Sequence, residues 1–241
     1  MRSARIPPRK QYRGFKTRGG CSGLGTANAR RYKAAKEGKT PGFRPDLKFD
    51  AMIPVLDGKV PVAVSAQTAE QIKDAIAMAD KQHVKIVIMG PREVGSVGPE
   101  LKSRNIPVVL GRVLALPDRE DDSYDAAMAL PNQFYKAGVK FSLGTFTNEF
   151  IRNLPFQAAA AVAFGLPQEE ALKAVTINPA QIWGQDSKIG SVEKGKTADL
   201  LITTGDPLDV QSKVSHVIIN GKEIELSNKQ TRLYDKYMGR Q

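Results

Sequence analysis

A short apolar run followed by a helical segment occurs four times between residues 60 and 175, and this repeat constrains the fold most. The runs lie at 60–64, 85–90, 106–111 and 139–144. Continuous apolar runs of this length are typical of strands buried on both faces of a parallel sheet. After the first run, Thr68 can cap a helix in which Ile72, Ile76 and Ala79 share one face. Repeated β-then-α units predict a parallel sheet with right-handed crossovers.

Beyond Trp183 the pattern changes to short strands near 200–203 and 214–220, separated by turn residues such as Asn220-Gly221. The predicted fold class is therefore α/β with a small C-terminal β appendage. Four βα units are either half of an eightfold (β/α) barrel or the main part of an open doubly wound sheet. The other predicted helices span 29–38, 97–104, a segment ending near 137, 150–164 and 168–175. The predicted domains are a flexible basic arm, the α/β body, and the appendage with its tail, at 1–28, 29–183 and 184–241.

Composition limits the possible chemistry of this 241-residue chain. No apolar run approaches the roughly 18 residues that a membrane-spanning helix needs. A single cysteine, Cys21, excludes a disulfide framework and a multi-cysteine zinc site, and it fits a reducing compartment. We therefore expect a cytoplasmic protein. Only two histidines, His83 and His216, are available as metal ligands, and we interpret both as structural or surface residues because a metal site needs three or four convergent donors.

The formal charge of +11 is concentrated at one end of the chain. Residues 1–50 carry 14 Lys and Arg against 3 Asp and Glu, and residues 51–241 carry 22 of each. A basic arm with Tyr12 and Phe15 could follow a phosphate backbone while its rings stack on bases. It also resembles an organelle transit peptide, and a solvated tail is the third interpretation. We favour the tail and keep nucleic-acid binding or partner binding through 1–28 as the alternative function.

Three motifs beyond residue 167 resemble the end of an amidohydrolase-superfamily protein of the imidazolonepropionase-like kind. They are Glu169 to Leu172 with Thr176-Ile177-Asn178-Pro179-Ala180, then Ile189 to Leu200 with its Gly-Ser-x-x-x-Gly-Lys pattern, then Gly205 to Leu208 with Val217 to Gly221. Their order and spacing make the resemblance specific. It extends over about residues 30–241, and the four βα units would correspond to the family's fifth to eighth barrel strands. The resemblance thus implies a partial (β/α) TIM-type barrel of about four βα units at 29–183.

The motifs also have a local structural interpretation. Asn178 precedes a proline, so we expect it to leave the helical region and to end one helix while Pro179 opens the next. Gly190 and Gly195 permit tight turns. Asp199 is expected to accept hydrogen bonds from the amides of that turn. These are scaffold features and argue for a fold.

The resemblance implies hydrolysis of carbon–nitrogen bonds other than peptide bonds, by a water activated on zinc or another divalent ion. It would place histidines after Val64 and near Met89, and an aspartate after Thr145. The residues found there are Ser65, Gly90 and Phe146. Neither a hydroxyl nor a phenyl ring replaces such a ligand, so we expect no metal site and no cofactor.

Other polar residues follow the predicted strand ends, where barrel enzymes place their sites. They are Glu93, Arg112, Thr145, Asn148 and Glu149. Ser65 with Glu93 suggests a hydroxyl activated by a carboxylate, but no histidine is placed to relay the proton. The acidic cluster of Asp118, Glu120, Asp121, Asp122 and Asp125 could attract a hard cation, but its spacing matches no EF-hand. We expect a polar loop face and a solvated loop.

The leading hypothesis is thus an amidohydrolase-related chain that is truncated or non-catalytic, and whether it is an enzyme at all stays open. Half of a closed barrel has two unpaired strand edges and an exposed inner face. We therefore expect self-association or pairing with an active paralogue. A fragment of a longer protein that carries the first four strands is the other version.

Overall fold

The computed structural model describes residues 26–38, 43–117 and 120–239, with only the backbone of residues 149 and 150. The chain divides into two compact units between Ile53 and Pro54. The first contains α1 (Thr26–Glu37), α2 (Leu47–Asp50) and the first residue of α3 (Ile53–Leu56). Helix α1 begins three residues before the predicted start at 29. The rest of the basic arm, residues 1–25 with Cys21, lies outside the described residues.

A small cluster around Tyr32 holds α1 to α2. The Tyr32 hydroxyl donates to Asp50 Oδ1 at 2.9 Å and accepts from the Asp46 amide at 3.0 Å. Lys36 Nζ donates to the same Asp50 oxygen at 2.6 Å. The ring of Tyr32 packs on the ring of Phe49 with 5.4 Å between centroids. The hydrogen bond from Lys36, followed by that from Tyr32, lowers the pKa of Asp50 below its ordinary value.

The second unit contains a four-stranded parallel sheet in the order β1-β2-β3-β4. The strands are β1 (Val62–Ser65), β2 (Ile86–Met89), β3 (Val108–Leu110) and β4 (Phe141–Leu143). The helices around them are α4 (Ala69–Gln82), α5 (Gly98–Ser103), α6 (Ala126–Lys136), a 3-10 helix (Asn148–Asn153), α7 (Leu154–Ala163), α8 (Gln168–Val175) and α9 (Ile177–Ile182). The predicted run of βα units, and with it the partial barrel, is confirmed.

Helix α4 forms where the sequence predicts it. Thr68 Oγ1 accepts from the Gln71 amide and Gln71 Oε1 accepts from the Thr68 amide, which completes a capping box. Ile72, Ile76 and Ala79 are buried on one face, as predicted. The helix ends at His83, whose φ of 45° lies in the left-handed region typical of a helix C-terminus.

Both faces of the sheet pack against helices, but one face carries most of the core. Side chains that alternate along β2, β3 and β4 face the helices and form the main core: Ile86, Ile88, Val108, Leu110, Phe141 and Leu143. On the opposite face, Val87 and Val109 pack with Ile182 of α9. The prediction that the first run is buried on both faces is wrong, because Ala63 and Ser65 are exposed. In the described part of the chain β1 is an edge strand. The cluster around Ile182 does not extend to the face of β1 that carries Ala63 and Ser65.

A separate antiparallel sheet forms the predicted appendage. It contains β5 (Leu200–Thr203), β6 (Val214–Ile219) and β7 (Lys222–Ile224), and α10 (Lys229–Met238) follows it. Asn220 and Gly221 join β6 to β7 with φ of 51° and 75°, as a two-residue hairpin turn requires. Within the ranges that the structure describes, no helix is long and apolar enough to cross a membrane.

Two local predictions in the motif region need correction. Asn178 lies inside α9, and the break between helices falls at Thr176, which has a φ of −124°. Pro179 is the third residue of α9, where its missing N–H has no helical acceptor, so the helix can begin before it. Asp199 Oδ1 accepts from the Asn220 amide at 2.7 Å and so braces the hairpin turn, not its own turn. Asn220 is 21 residues away in the sequence, so no local pattern predicts it as the partner of Asp199.

Candidate functional site

The carboxyl ends of the four strands meet at one edge of the sheet, as the parallel topology requires. Ser65 is paired in register with Met89, and Leu110 with Leu143. The amide of Gly90 donates to the Val109 carbonyl at 2.8 Å. These hydrogen bonds bring the predicted ligand positions to one mouth, which is where a barrel enzyme of this class would hold its metal.

Phe146, at the third of these positions, packs against a neighbouring strand end. Its φ of 52° is unusual for a bulky residue. A methyl group added to Gly111 would lie 3.4 Å from ring carbons Cδ2 and Cε2, so the ring covers the Gly111 backbone. The side chain is 52% exposed. An aromatic hydrocarbon therefore stands where the resemblance would place an aspartate.

A cavity of about 250 Å³ opens beside the strand ends. Of the residues singled out from the sequence, Gly90, Arg112, Asp122 and Phe146 line it, whereas Ser65, Glu93, Thr145 and Asn148 do not. Arg92 also lines the cavity. Sequence reasoning missed it, although it adjoins Glu93 in the loop after β2. Among the described residues that line the cavity, two guanidinium groups stand against one carboxylate, a set that disfavours a divalent cation.

The Glu93 side chain is hydrogen-bonded to the start of helix α4. Its Oε1 accepts a hydrogen bond of 2.7 Å from the Ala69 amide, in the first turn of that helix. An anion is favourable at a helix N-terminus because the first amides have no partner within the helix. The carboxylate thus stabilises the scaffold, and the structure records no Ser65–Glu93 hydrogen bond among its described residues.

Of the remaining candidates, Thr145 makes a contact within its own loop. Thr145 Oγ1 donates to the Thr147 carbonyl at 3.0 Å. Asn148 begins the 3-10 helix and is exposed. Arg112 has a polar partner of its own. The side chain of Glu149 lies outside the described part of the chain. Thr145 therefore braces its own loop, and for the other residues the polar loop face stays a prediction.

Gln157 is a residue that the sequence analysis missed. It is 2% exposed, and its Oε1 accepts from the Val113 amide at 2.9 Å across 44 residues. A buried amide without a partner costs a few kcal/mol, so this bond fixes the loop after β3. The feature of the sequence that could have indicated this role is the single glutamine within the alanine-rich segment that forms α7.

The two histidines lie apart from the mouth. His83 ends α4, and His216 Nδ1 lies 2.6 Å from Glu223 Oε1 on the exposed antiparallel sheet. Of the acidic cluster, Asp125 accepts a hydrogen bond from Ser123, and Asp118 lies outside the described residues. Among residues 26–38, 43–117 and 120–239, no three His, Cys, Asp or Glu side chains are placed to hold a metal ion. This donor set does not fit the divalent ion that the family resemblance implies.

The Gly-Ser-x-x-x-Gly-Lys motif forms a closed polar network. Ser191 Oγ donates to Glu193 Oε1 at 2.5 Å, and Lys196 Nζ donates to the same carboxylate oxygen at 3.1 Å. These two hydrogen bonds, with the charge of Lys196, lower the pKa of Glu193. Gly190 and Gly195 have φ of 98° and 95°, which confirms the predicted turns. The motif thus forms the turns that connect α9 to β5.

Comparison with known proteins supports the interpretation of the fold. The amidohydrolase family model matches residues 101–224, just over half of the chain. An amidohydrolase structure from Thermotoga maritima superposes with a TM-score of 0.73 at 32% identity, over 83% of this chain and 53% of that one. Amidohydrolase tasK of Hapsidospora irregularis is 25% identical over 184 residues, 73% of this chain and 18% of that protein.

A second relative matches over a shorter stretch. The imidazolonepropionase of Syntrophobacter fumaroxidans is 42% identical over 57 residues, 23% of this chain and 13% of that protein. This chain therefore spans about half of the matched structure and less than a fifth of either relative. The parallel half-barrel, the antiparallel appendage and the family match together establish that the chain belongs to the amidohydrolase family.

Proposed function

We propose that this chain is a non-catalytic amidohydrolase-family subunit, which supplies four βα units of a barrel and does not hold the catalytic metal. The single observation that carries the proposal is Phe146, whose ring lies on Gly111 at the mouth of the sheet. A phenyl ring offers no lone pair to an ion and no proton to a substrate. The family reaction, hydrolysis of non-peptide carbon–nitrogen bonds, would then need residues from elsewhere.

The charge at the mouth supports the same conclusion. Arg92 and Arg112 line the cavity with one carboxylate, that of Asp122. A divalent ion is held in proteins by neutral imidazoles and anionic carboxylates, whose charge offsets its own. Guanidinium groups repel it. The nearby carboxylate of Glu93 already accepts a hydrogen bond from the Ala69 amide.

The open edges of the sheet support association with a second chain. Within the described residues, β1 and β4 each pair with one neighbouring strand only. Unpaired strand edges carry free N–H and C=O groups that recruit another strand. Ala63 and Ser65 of β1 are exposed, so the face beside that edge is also open. A copy of this chain or an active paralogue would pair with both edges.

The test combines assembly state with activity. Sedimentation of the purified chain at micromolar concentration should give a dimer or a larger assembly, and a monomer with cooperative unfolding would contradict the association. A panel of cyclic amides, hydantoins and N-acyl amino acids should show no hydrolysis by this chain alone with Zn²⁺ added. Turnover of any of them would contradict the non-catalytic assignment.

A further inference from the structure

The opposite end of the parallel sheet carries a second cavity, of about 900 Å³, far from the family's catalytic face. Its charge is strongly one-sided. Five cationic side chains line it and a single acidic one, Asp80, does. The cationic residues are Lys59, Lys85, Lys102, Arg104 and Lys140.

Two of the five cations are neutralised by neighbours. Arg104 Nη1 lies 2.7 Å from Asp80 Oδ2, so the one acidic lining residue is already engaged. Lys59 Nζ lies 3.7 Å from a carboxylate oxygen of Asp57. Neither pair leaves a carboxylate available to the remaining lysines.

Three lysines keep their charge unbalanced. The ammonium groups of Lys85 and Lys102 have no ion-pair partner among the described residues. Lys140 Nζ donates to Gln181 Oε1 at 2.8 Å, and an amide orients the ammonium group without neutralising it. Positive charge that is concentrated in a concave site attracts anions, because the low-dielectric walls focus the field.

The topology of the sheet fixes the spacing of these lysines. Lys85 directly precedes β2 and Lys140 directly precedes β4. Their carbonyls accept from the Val62 and Val108 amides at 2.8 and 3.0 Å, so both backbones belong to the sheet ladder. Strands β2 and β4 are two places apart, which separates the strands by roughly 10 Å. Lys140 is level with Val87 in the register, so its backbone is somewhat farther than that from the backbone of Lys85.

Lys102 also lines the cavity, and its side chain passes close to the backbone of a glycine. A methyl group added at Gly138 would lie 2.8 Å from Lys102 Nζ and 2.9 Å from its Cε. The lysine therefore crosses the backbone of the turn that leads to β4, and Gly138, with φ of 69°, leaves the space for it.

We propose that this end of the sheet binds a phosphate-bearing polyanion, with Lys85, Lys102 and Lys140 as the binding residues. Separated ammonium groups suit a ligand with two or more phosphates, and a single phosphate would reach fewer of them. We assign the phosphates to a free polyphosphate or nucleotide, since the three lysines line a single cavity.

The experiment measures tripolyphosphate binding to the full chain at low salt by calorimetry. The test variant is Lys85→Gln/Lys102→Gln/Lys140→Gln. The matched control is Lys73→Gln/Lys194→Gln/Lys222→Gln, which removes the same charge from exposed lysines outside the cavity. All six lysines are exposed, so circular dichroism and thermal unfolding should match those of the unaltered chain.

The test variant should lose at least tenfold in affinity, and the control less than about twofold. Inorganic phosphate should bind at least tenfold more weakly than tripolyphosphate. An equal loss in the two variants, or no binding by the unaltered chain, would overturn the proposal. A single-stranded oligonucleotide that binds more tightly than tripolyphosphate, and loses affinity in the test variant alone, would overturn the free polyphosphate as the ligand and assign the lysines to a nucleic-acid backbone.

Discussion

Glu93 and Ala69 are joined by a hydrogen bond of 2.7 Å from the Ala69 amide to the Glu93 carboxylate, although 24 residues separate them. The carboxylate that follows β2 thereby stabilises the start of the helix that follows β1. A side chain in a position typical of catalysis is used here to join two βα units.

Replacing Glu93 should therefore alter stability. Glu93→Ala should lower the free energy of unfolding by about 1 kcal/mol, the usual effect of removing an N-terminal helix acceptor. Glu93→Gln should lose less, because its amide oxygen still accepts from Ala69. Urea denaturation measures both variants. Equal losses in the two would argue that the charge alone matters, and no loss in either would contradict the capping role.

Phe146 should tolerate substitution better than an ordinary core aromatic. Phe146→Asn loses the ring contact with Gly111, but asparagine accommodates the left-handed φ of 52° with less strain. We expect a net change within about 1 kcal/mol. Phe141→Ala, at a position 2% exposed, should cost about 3–5 kcal/mol. A comparable loss in both variants by thermal unfolding would show that Phe146 is a core residue.

The open edge at β1 gives a test of association. Ala63→Arg places a charge on the exposed face of the edge strand and should shift the assembly towards monomer in sedimentation. Ala77→Arg, on an exposed position of α4, is the matched control and should leave the assembly unchanged. Identical sedimentation of the two variants would place the interface elsewhere.

The Asp50 cluster predicts a pH dependence in the first unit. The folded pKa of Asp50 is lowered by Lys36 and then by Tyr32, so the contribution of this group is complete above its unfolded pKa, about 4. It is lost as the pH falls through the lowered folded pKa. The pKa of Lys36 is raised mainly by its hydrogen bond to Asp50, so that contribution is lost only as the pH rises through the raised value. Carboxyl NMR should give a low Asp50 pKa that Lys36→Met raises. An unchanged value would contradict the contact.

The alternative function of the basic arm is tested by deletion. Removing residues 1–25 leaves α1, which begins at Thr26, intact. We expect the assembly state to be unchanged, and oligonucleotide affinity at physiological salt to change less than about twofold. Affinity that falls steeply with added salt and disappears on deletion would instead support nucleic-acid binding through the arm.

Local patterns in the sequence predicted the elements well. Thr68 and the spacing of Ile72 and Ile76 define α4 because capping and periodicity act within a few residues. Asn220-Gly221 defines a hairpin for the same reason. The parallel sheet also followed, since repeated βα units leave few topologies.

Local patterns did not predict hydrogen bonds between residues that are distant in sequence. The Glu93–Ala69, Gln157–Val113 and Asp199–Asn220 hydrogen bonds join residues that are 24, 44 and 21 positions apart. No local rule specifies them. The exposure of Ala63 was missed because an apolar run does not reveal whether its strand lies at the edge of a sheet.

Zinc content tests the central claim most directly. The full chain, purified without chelator and then dialysed against micromolar Zn²⁺, should contain well under one zinc per chain by mass spectrometry of the metal. Calorimetric titration with Zn²⁺ should give no saturable site that Ser65→Ala or Asp122→Asn weakens. One zinc per chain, lost on either substitution at the mouth, would contradict the account.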